Sequence, residues 1–336
     1  MDRRKVILRG ISKEQRGLEI GPWRNPLVPK REGYNAIVLD VFDTERLRSN
    51  ALADPPAEQR LGEIEDVDIV GSASRFAEIV GSHGLAGTLD YIVSSHNFEH
   101  LPDPVRFLQA CADALKPGGV LSMAIPDRRT CFDYFRPYST TADFLGAYFE
   151  KRERPTPQQL FEQTSLHSRC HRGAETVLGF SMTDDPTNVR PLETLEEAYE
   201  RWRCQIAEGN DEYMDAHCWV FTPAAFELII RDLNYLGLVE LQLDDVIGPN
   251  AFEFYVRLTK PARATARLDP GSFYLQRAKL LHRITNEMGE NCIAWFAERT
   301  KGDTREPPDP APAGAPDQRR PRSWSALKSA FFRNRG

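Results

Sequence analysis

Between Gly17 and about Lys260 the chain alternates short apolar runs with longer stretches of helix-forming character. Runs at 17–20, 35–39, 67–70, 89–93, 120–125, 239–243 and 252–258 predict strands. The unit around Asp90 is the clearest. An apolar run, Tyr91-Ile92-Val93, gives way to a polar turn carrying His96 and His100. Pro102-Asp103-Pro104 then starts a helix of about three turns, and Lys116-Pro117-Gly118-Gly119 stops it before Val120 and Leu121 open the next run. Such strand-helix-strand repeats fold as an open, doubly wound α/β sheet, because each helix buries its apolar stripe on a sheet face.

The alternation stops between Pro126 and about Ala216, where aromatic, Arg-rich and Pro-containing segments take over. An insertion after the fifth strand stands above the carboxyl ends of the strands, where open α/β sheets bind ligands. It predicts a substrate cap over about 128–216, mostly helical on the spacing of Tyr199 and Trp202 within 192–206. The unit that carries the strands thus spans 1–262. Residues 268–300 read as one helix, with a stripe of Phe273, Leu280, Leu281, Ile284, Met288 and Trp295. Residues 301–336 then hold a linker, with six prolines between Glu306 and Pro321, and a tail over 319–336. The tail has six basic residues and no acid, interleaved with Trp324, Phe331 and Phe332. It suits an anionic membrane surface or an acidic partner protein; a merely solubilising tail is the alternative.

With 336 residues the chain buries a substantial core without help from a metal or disulfides. A net charge of -6 gives no global basic field, so nucleic acid is not an expected partner. Six scattered cysteines, no two at metal-type spacing, read as reduced thiols of a cytoplasmic protein. Val6-Ile7-Leu8 is too short an apolar run for a signal peptide, and no run approaches the roughly 20 apolar residues of a membrane span. The expected location is cytoplasmic, with peripheral contact at the inner membrane face through the tail. His167, Cys170 and His171 offer three ligands at awkward spacing with no second cluster, so no metal is expected; a magnesium-assisted reaction using Asp and His is the alternative.

Gly17-Leu18-Glu19-Ile20-Gly21-Pro22, together with Asp40 and the Glu99-His100-Leu101-Pro102-Asp103-Pro104 segment, resembles the motifs of class I S-adenosylmethionine (SAM)-dependent methyltransferases of the type 11-like group. The resemblance covers about residues 10–260. It implies a Rossmann-like, seven-stranded, mostly parallel sheet with helices on both faces, closed by an antiparallel hairpin that turns at Gly248-Pro249-Asn250. It also implies SAM as the cofactor and methyl transfer to an oxygen, or a nitrogen, of a small-molecule or glycan acceptor. Asn25-Pro26-Leu27, Pro126-Asp127-Arg128 and Asp215-Ala216-His217-Cys218-Trp219 look like a bacterial subgroup associated with surface-glycan assembly. A non-catalytic SAM-binding or scaffold protein of such an assembly is the rival reading.

Gly21 has no side chain to keep the backbone from a ligand. The prolines at 22 and 26 forbid a regular helix directly after it, which argues against a dinucleotide and does little harm to SAM. The resemblance places Glu19 near the methionine end and Asp40 on the ribose hydroxyls, at the spacing of about 20 residues seen in nucleotide-binding folds. A capping role for Asp40 is the alternative. Ser72 stands where many relatives carry an acid for adenine, and Pro22 and Ser95 join the cofactor pocket. The resemblance also implies that Ser94, Ser95, His96, Glu99 and His100 line the methionine and the acceptor. His96 is the candidate proton acceptor, since an imidazole titrates near 6.5, and His100 reads as a pocket or packing residue. Asp127 is a second candidate base, and Arg128 and Arg129 a clamp for an acceptor carboxylate or phosphate, unless this loop is merely solvated. His217, at the hinge between cap and core, completes the candidate catalytic set; a satisfied core histidine is its bland alternative.

Overall fold

The computed structural model describes residues 1–53, 58–182, 184–208, 213–263 and 265–299, without the side chains of 205–208 and 290–299. The linker and tail of 301–336, and Trp295 of the predicted stripe, lie outside that description. The strands in chain order are β1 (Arg16–Ile20), β2 (Asn35–Asp40), β3 (Ile69–Val70), β4 (Leu89–Ser95), β5 (Leu115–Pro126), β6 (Ser168–Arg172), β7 (Glu175–Val177), β8 (Val189–Pro191), β9 (Gln242–Asn250) and β10 (Glu253–Thr259). Seven of them form one sheet in the order β3-β2-β1-β4-β5-β10-β9. Only β10 runs antiparallel to its neighbours β5 and β9; the rest is parallel, the Rossmann-like sheet of the methyltransferase fold.

The parallel strands are apolar on both faces because helices cover both. On one face Leu18, Ile92, Leu121, Met123 and Ile125 pack under Phe98, Phe107, Phe226 and Trp219. On the other, Val93, Val120 and Ala124 meet Ile7 of the helix Arg3–Ile7 and the loop residues Leu27 and Val28. Gly17 makes the pairing of β1 with β4 close enough. A β-carbon there would stand 2.0 Å from the ring of its partner Tyr91. The helix after β4 starts as its sequence dictates: Asp103 accepts the Arg106 amide at 3.1 Å and Pro104 fills the first turn.

Two sequence-based expectations are corrected. Lys116-Pro117-Gly118-Gly119 opens β5 rather than separating helix from strand, since the helix ends at Ala114. Gly248-Pro249-Asn250 belongs to β9, and the hairpin reverses at Ala251-Phe252; β9 begins at Gln242, where half-exposed acidic residues hide an edge strand from any apolar count. The cap is mostly helical, as expected, but it also holds strands that the sequence did not show. Besides the helices Thr141–Glu150, Pro157–Ser165 and Leu195–Glu208 it holds an antiparallel sheet, β7-β6-β8, whose small core is Cys170, Phe180 and Val189.

The helix Pro270–Arg299 packs on the helix Pro223–Tyr235. Phe273 stacks on Tyr235 with ring centroids 3.7 Å apart, and Leu280 and Ile284 sit over the small residues Ala224 and Ala225. Each such buried side chain contributes about 1.5–3 kcal/mol relative to exposure. Leu281 of the predicted stripe points to solvent instead. Among the described residues no helix is long and apolar enough to cross a membrane.

Candidate active site

The carboxyl ends of β1, β2 and β3 build the first half of the cleft. Gly21 leaves β1 at φ +59°, a conformation that glycine adopts freely, and its missing side chain faces open space. Asp40 ends β2 with one carboxylate oxygen on the Phe42 amide at 3.1 Å. Val41, directly after β2, and Val70, at the end of β3, expose about half of their surfaces. These features fit SAM: a cradle for the methionine backbone, a carboxylate beside the ribose position, and apolar surface for a purine.

Other residues of the expected cofactor set do different work. Glu19 is buried behind the loop after β1, where its two oxygens accept the amides of Leu27 at 2.7 Å and Val28 at 3.1 Å. It therefore holds the 22–28 loop in place instead of lining the cleft. Burial pushes its carboxyl up to about 7, against the downward pull of the two amides. Pro22 is buried in the same loop. The Ser72 hydroxyl accepts the Ser74 amide at 3.2 Å and so caps its own turn, and the Ser95 hydroxyl accepts from Arg3.

The second half of the cleft lies beyond β4. His96 has φ +51°, unusual for a residue with a side chain, and such outliers concentrate at functional sites. Its Nε2 lies 2.8 Å from Glu253 at the start of β10, and its Nδ1 faces Glu99 at 3.7 Å. His100 places Nδ1 3.2 Å from Asp215 and Nε2 3.8 Å from the same Glu99 oxygen. His217 places Nδ1 2.5 Å from Asp133 and Nε2 3.7 Å from that oxygen again. Three imidazoles, each with one nitrogen on an outer carboxylate, thus ring one buried glutamate.

Electrostatics follow the same geometry. Burial raises the Glu253 carboxyl, but His96 and Arg3 outweigh it and bring the group down to about 2. Asp133 is likewise held well below the usual carboxylate range, where His217 and Arg136 overcome burial. His217 reaches the cluster because the chain returning from the cap is laced to the loops after β4 and β5. The Trp219 amide donates to the Glu99 carbonyl at 3.1 Å, and the Arg128 amide donates to the Phe221 carbonyl at 2.9 Å.

The structure therefore brings His96 and His217 together and leaves Asp127, Arg128 and Arg129 outside. Asp127 is fully buried and grips the Arg129 guanidinium with both oxygens, at 2.9 and 2.6 Å. It is a strut, not a base. Arg129 also reaches the Glu287 carbonyl of the last helix at 3.5 Å, and Arg128 contacts Met288 Sδ at 2.9 Å and the Tyr134 carbonyl. Both arginines anchor that helix rather than an acceptor anion. Sequence reasoning missed Arg3, Asp133 and Glu253 as parts of the site. A charged residue at the start of the last strand was the one available hint for Glu253; nothing local marks the other two.

The chain matches the methyltransferase domain family over residues 4–236. Among curated proteins none matches it in sequence. Solved structures similar to it include a SAM-dependent methyltransferase from Aquifex aeolicus, 13% identical, covering 77% of this chain and 89% of that one with a TM-score of 0.36. Another is a SAM-dependent methyltransferase from Methanosarcina mazei, 18% identical, covering 78% and 100% with a TM-score of 0.38. A SAM-dependent methyltransferase from Mesorhizobium loti is 11% identical, covering 76% and 95% with a TM-score of 0.34. The sequence match over most of the chain carries the assignment: this protein belongs to the methyltransferase domain family and is a SAM-dependent methyltransferase.

Proposed function

We propose that the enzyme methylates a hydroxyl oxygen of a small hydroxylated acceptor, of the glycan class, in the cleft between Gly21 and Glu99. The observation that carries this reading is the ring of His96, His100 and His217 around Glu99, at the end of the strand that pairs with β1. An alcohol must lose a proton as its oxygen takes the methyl group, and a histidine-carboxylate cluster is the group to receive it. SAM supplies an activated methyl on a sulfonium when bound. The chain supplies alignment and proton removal.

Within this reading Asp40 holds the ribose, the loop fixed by Glu19 covers the methionine end, and Val41 and Val70 flank the adenine. His100 and Asp215 are the partly exposed members of the cluster, with side chains 23% and 25% accessible, so the acceptor approaches there. Tyr213, half exposed, has its hydroxyl 3.5 Å from Asp215 and offers an aromatic face on which a sugar ring stacks.

Incubation with methyl-labelled SAM and a panel of sugars, phenols and amines tests the proposal. Label recovered as a methyl ether of a sugar hydroxyl supports it. Label found only on amines would overturn it.

A further inference from the structure

We propose that Glu99, His100 and His217 bind a divalent transition-metal cation. Glu99 has no solvent exposure, and neither of its carboxylate oxygens has a hydrogen-bond partner. A buried carboxylate is normally hydrogen-bonded, paired or bound to a metal. One ligating atom from each of the three residues lies within 4.8 Å of the others, and among the described residues this is the group of its kind. The His100 and His217 rings are perpendicular, at 89°, with centroids 4.7 Å apart.

The surroundings are those of a metal centre. Asp215 faces Nδ1 of His100 at 3.2 Å and Asp133 faces Nδ1 of His217 at 2.5 Å. A carboxylate on Nδ1–H fixes the tautomer and leaves the lone pair on Nε2, the atom that faces Glu99 in both residues. This is the carboxylate-histidine arrangement that orients imidazoles toward a metal and raises their basicity. His96, with Nδ1 3.7 Å from the same Glu99 oxygen, is the nearest further donor.

Two imidazoles and one carboxylate select an ion of the zinc, cobalt, iron or manganese kind over calcium or magnesium, which prefer all-oxygen sites. Three protein ligands leave coordination positions open, as catalytic sites require. The partly exposed His100 side marks where they face. In what the cation would do, the inference rests on the proposed function: it would bind the acceptor hydroxyl and ease the loss of its proton. Binding itself does not depend on that reading.

The test is titration of chelator-stripped full-length protein with Co2+, followed by visible absorption, and with Zn2+, followed by calorimetry. One saturable site per chain is expected. Glu99→Gln and His100→Ala should lose it, and Asp215→Asn should weaken it by roughly 10–100-fold. His100 is partly exposed, so its variant is the one best placed to remain folded, as circular dichroism would verify. Wild-type protein without saturable binding, or folded His100→Ala that binds like wild type, overturns the site. Sugar methylation by stripped protein that binds neither ion removes the cation and leaves the proposed function. Saturable binding with label transferred only to amines does the reverse.

Discussion

Nδ1 of His217 lies 2.5 Å from one oxygen of Asp133, whose other oxygen accepts the Arg136 guanidinium at 2.8 Å. All three side chains are buried. One carboxylate thus joins the loop after β5, the interior of the cap and the segment that returns from cap to core. Asp133→Asn would leave the Arg136 charge buried without its carboxylate. The expected loss is about 3–5 kcal/mol of unfolding free energy in urea titrations. A change below about 1 kcal/mol would mean that solvent or Glu162 already compensates Arg136.

The Asp127–Arg129 pair carries a second stability prediction. Because Arg129 spends its guanidinium on Asp127 and the backbone of the last helix, Arg129→Met should destabilise by about 3–5 kcal/mol. The acceptor KM of the folded variant should stay at the wild-type value. A raised KM with unchanged stability would return Arg129 to the acceptor site.

Glu19 makes stability depend on pH in a direction opposite to acids held low by charged partners, such as Glu253. Its folded carboxyl titrates at about 7 against an ordinary value of 4.5, since burial disfavours the charge. The folded state therefore holds the proton more tightly. That contribution is fully present below about pH 4.5 and lost as the pH rises through about 7, on the order of 3 kcal/mol in all. His167, whose buried imidazole titrates at about 3 instead of 6.5, adds stability as the pH rises toward 6.5 and offsets this slope in the wild type. The Glu19 contribution is therefore read as the difference between wild type and Glu19→Gln, which should fall from pH 4.5 to 8. A difference that stays constant across this window would show Glu19 to be charged throughout.

Much of the fold was legible because its signals are local. The apolar runs of β1, β2 and β4, the Asp103-Pro104 helix start, and the spacing of Phe273, Leu280 and Ile284 each report on a few neighbouring residues. The small sheet of the cap was not legible, since Ser168–Arg172 is mostly polar and buries little more than Cys170. The site was half legible. His96, Glu99 and His100 stand together in one turn, and His217 was marked by its place at the return from the cap. Their shared focus on one Glu99 oxygen depends on partners up to 157 residues away, as for His96 and Glu253, and no local pattern encodes that. Asp127 and Arg129 misled for the same reason: a charged pair at a strand end reads as a ligand site until its two members are seen to satisfy each other.

On the proposed function the cleft has a cofactor half around Asp40 and a chemical half around Glu99, and calorimetric titration with SAM of Asp40→Ala and Glu99→Gln tests that division directly. Asp40→Ala should lose about 1.5–3 kcal/mol of binding, roughly a ten- to hundred-fold weaker Kd, while folded Glu99→Gln binds SAM as wild type does. Wild-type affinity in Asp40→Ala, or a comparable loss in Glu99→Gln, would contradict it.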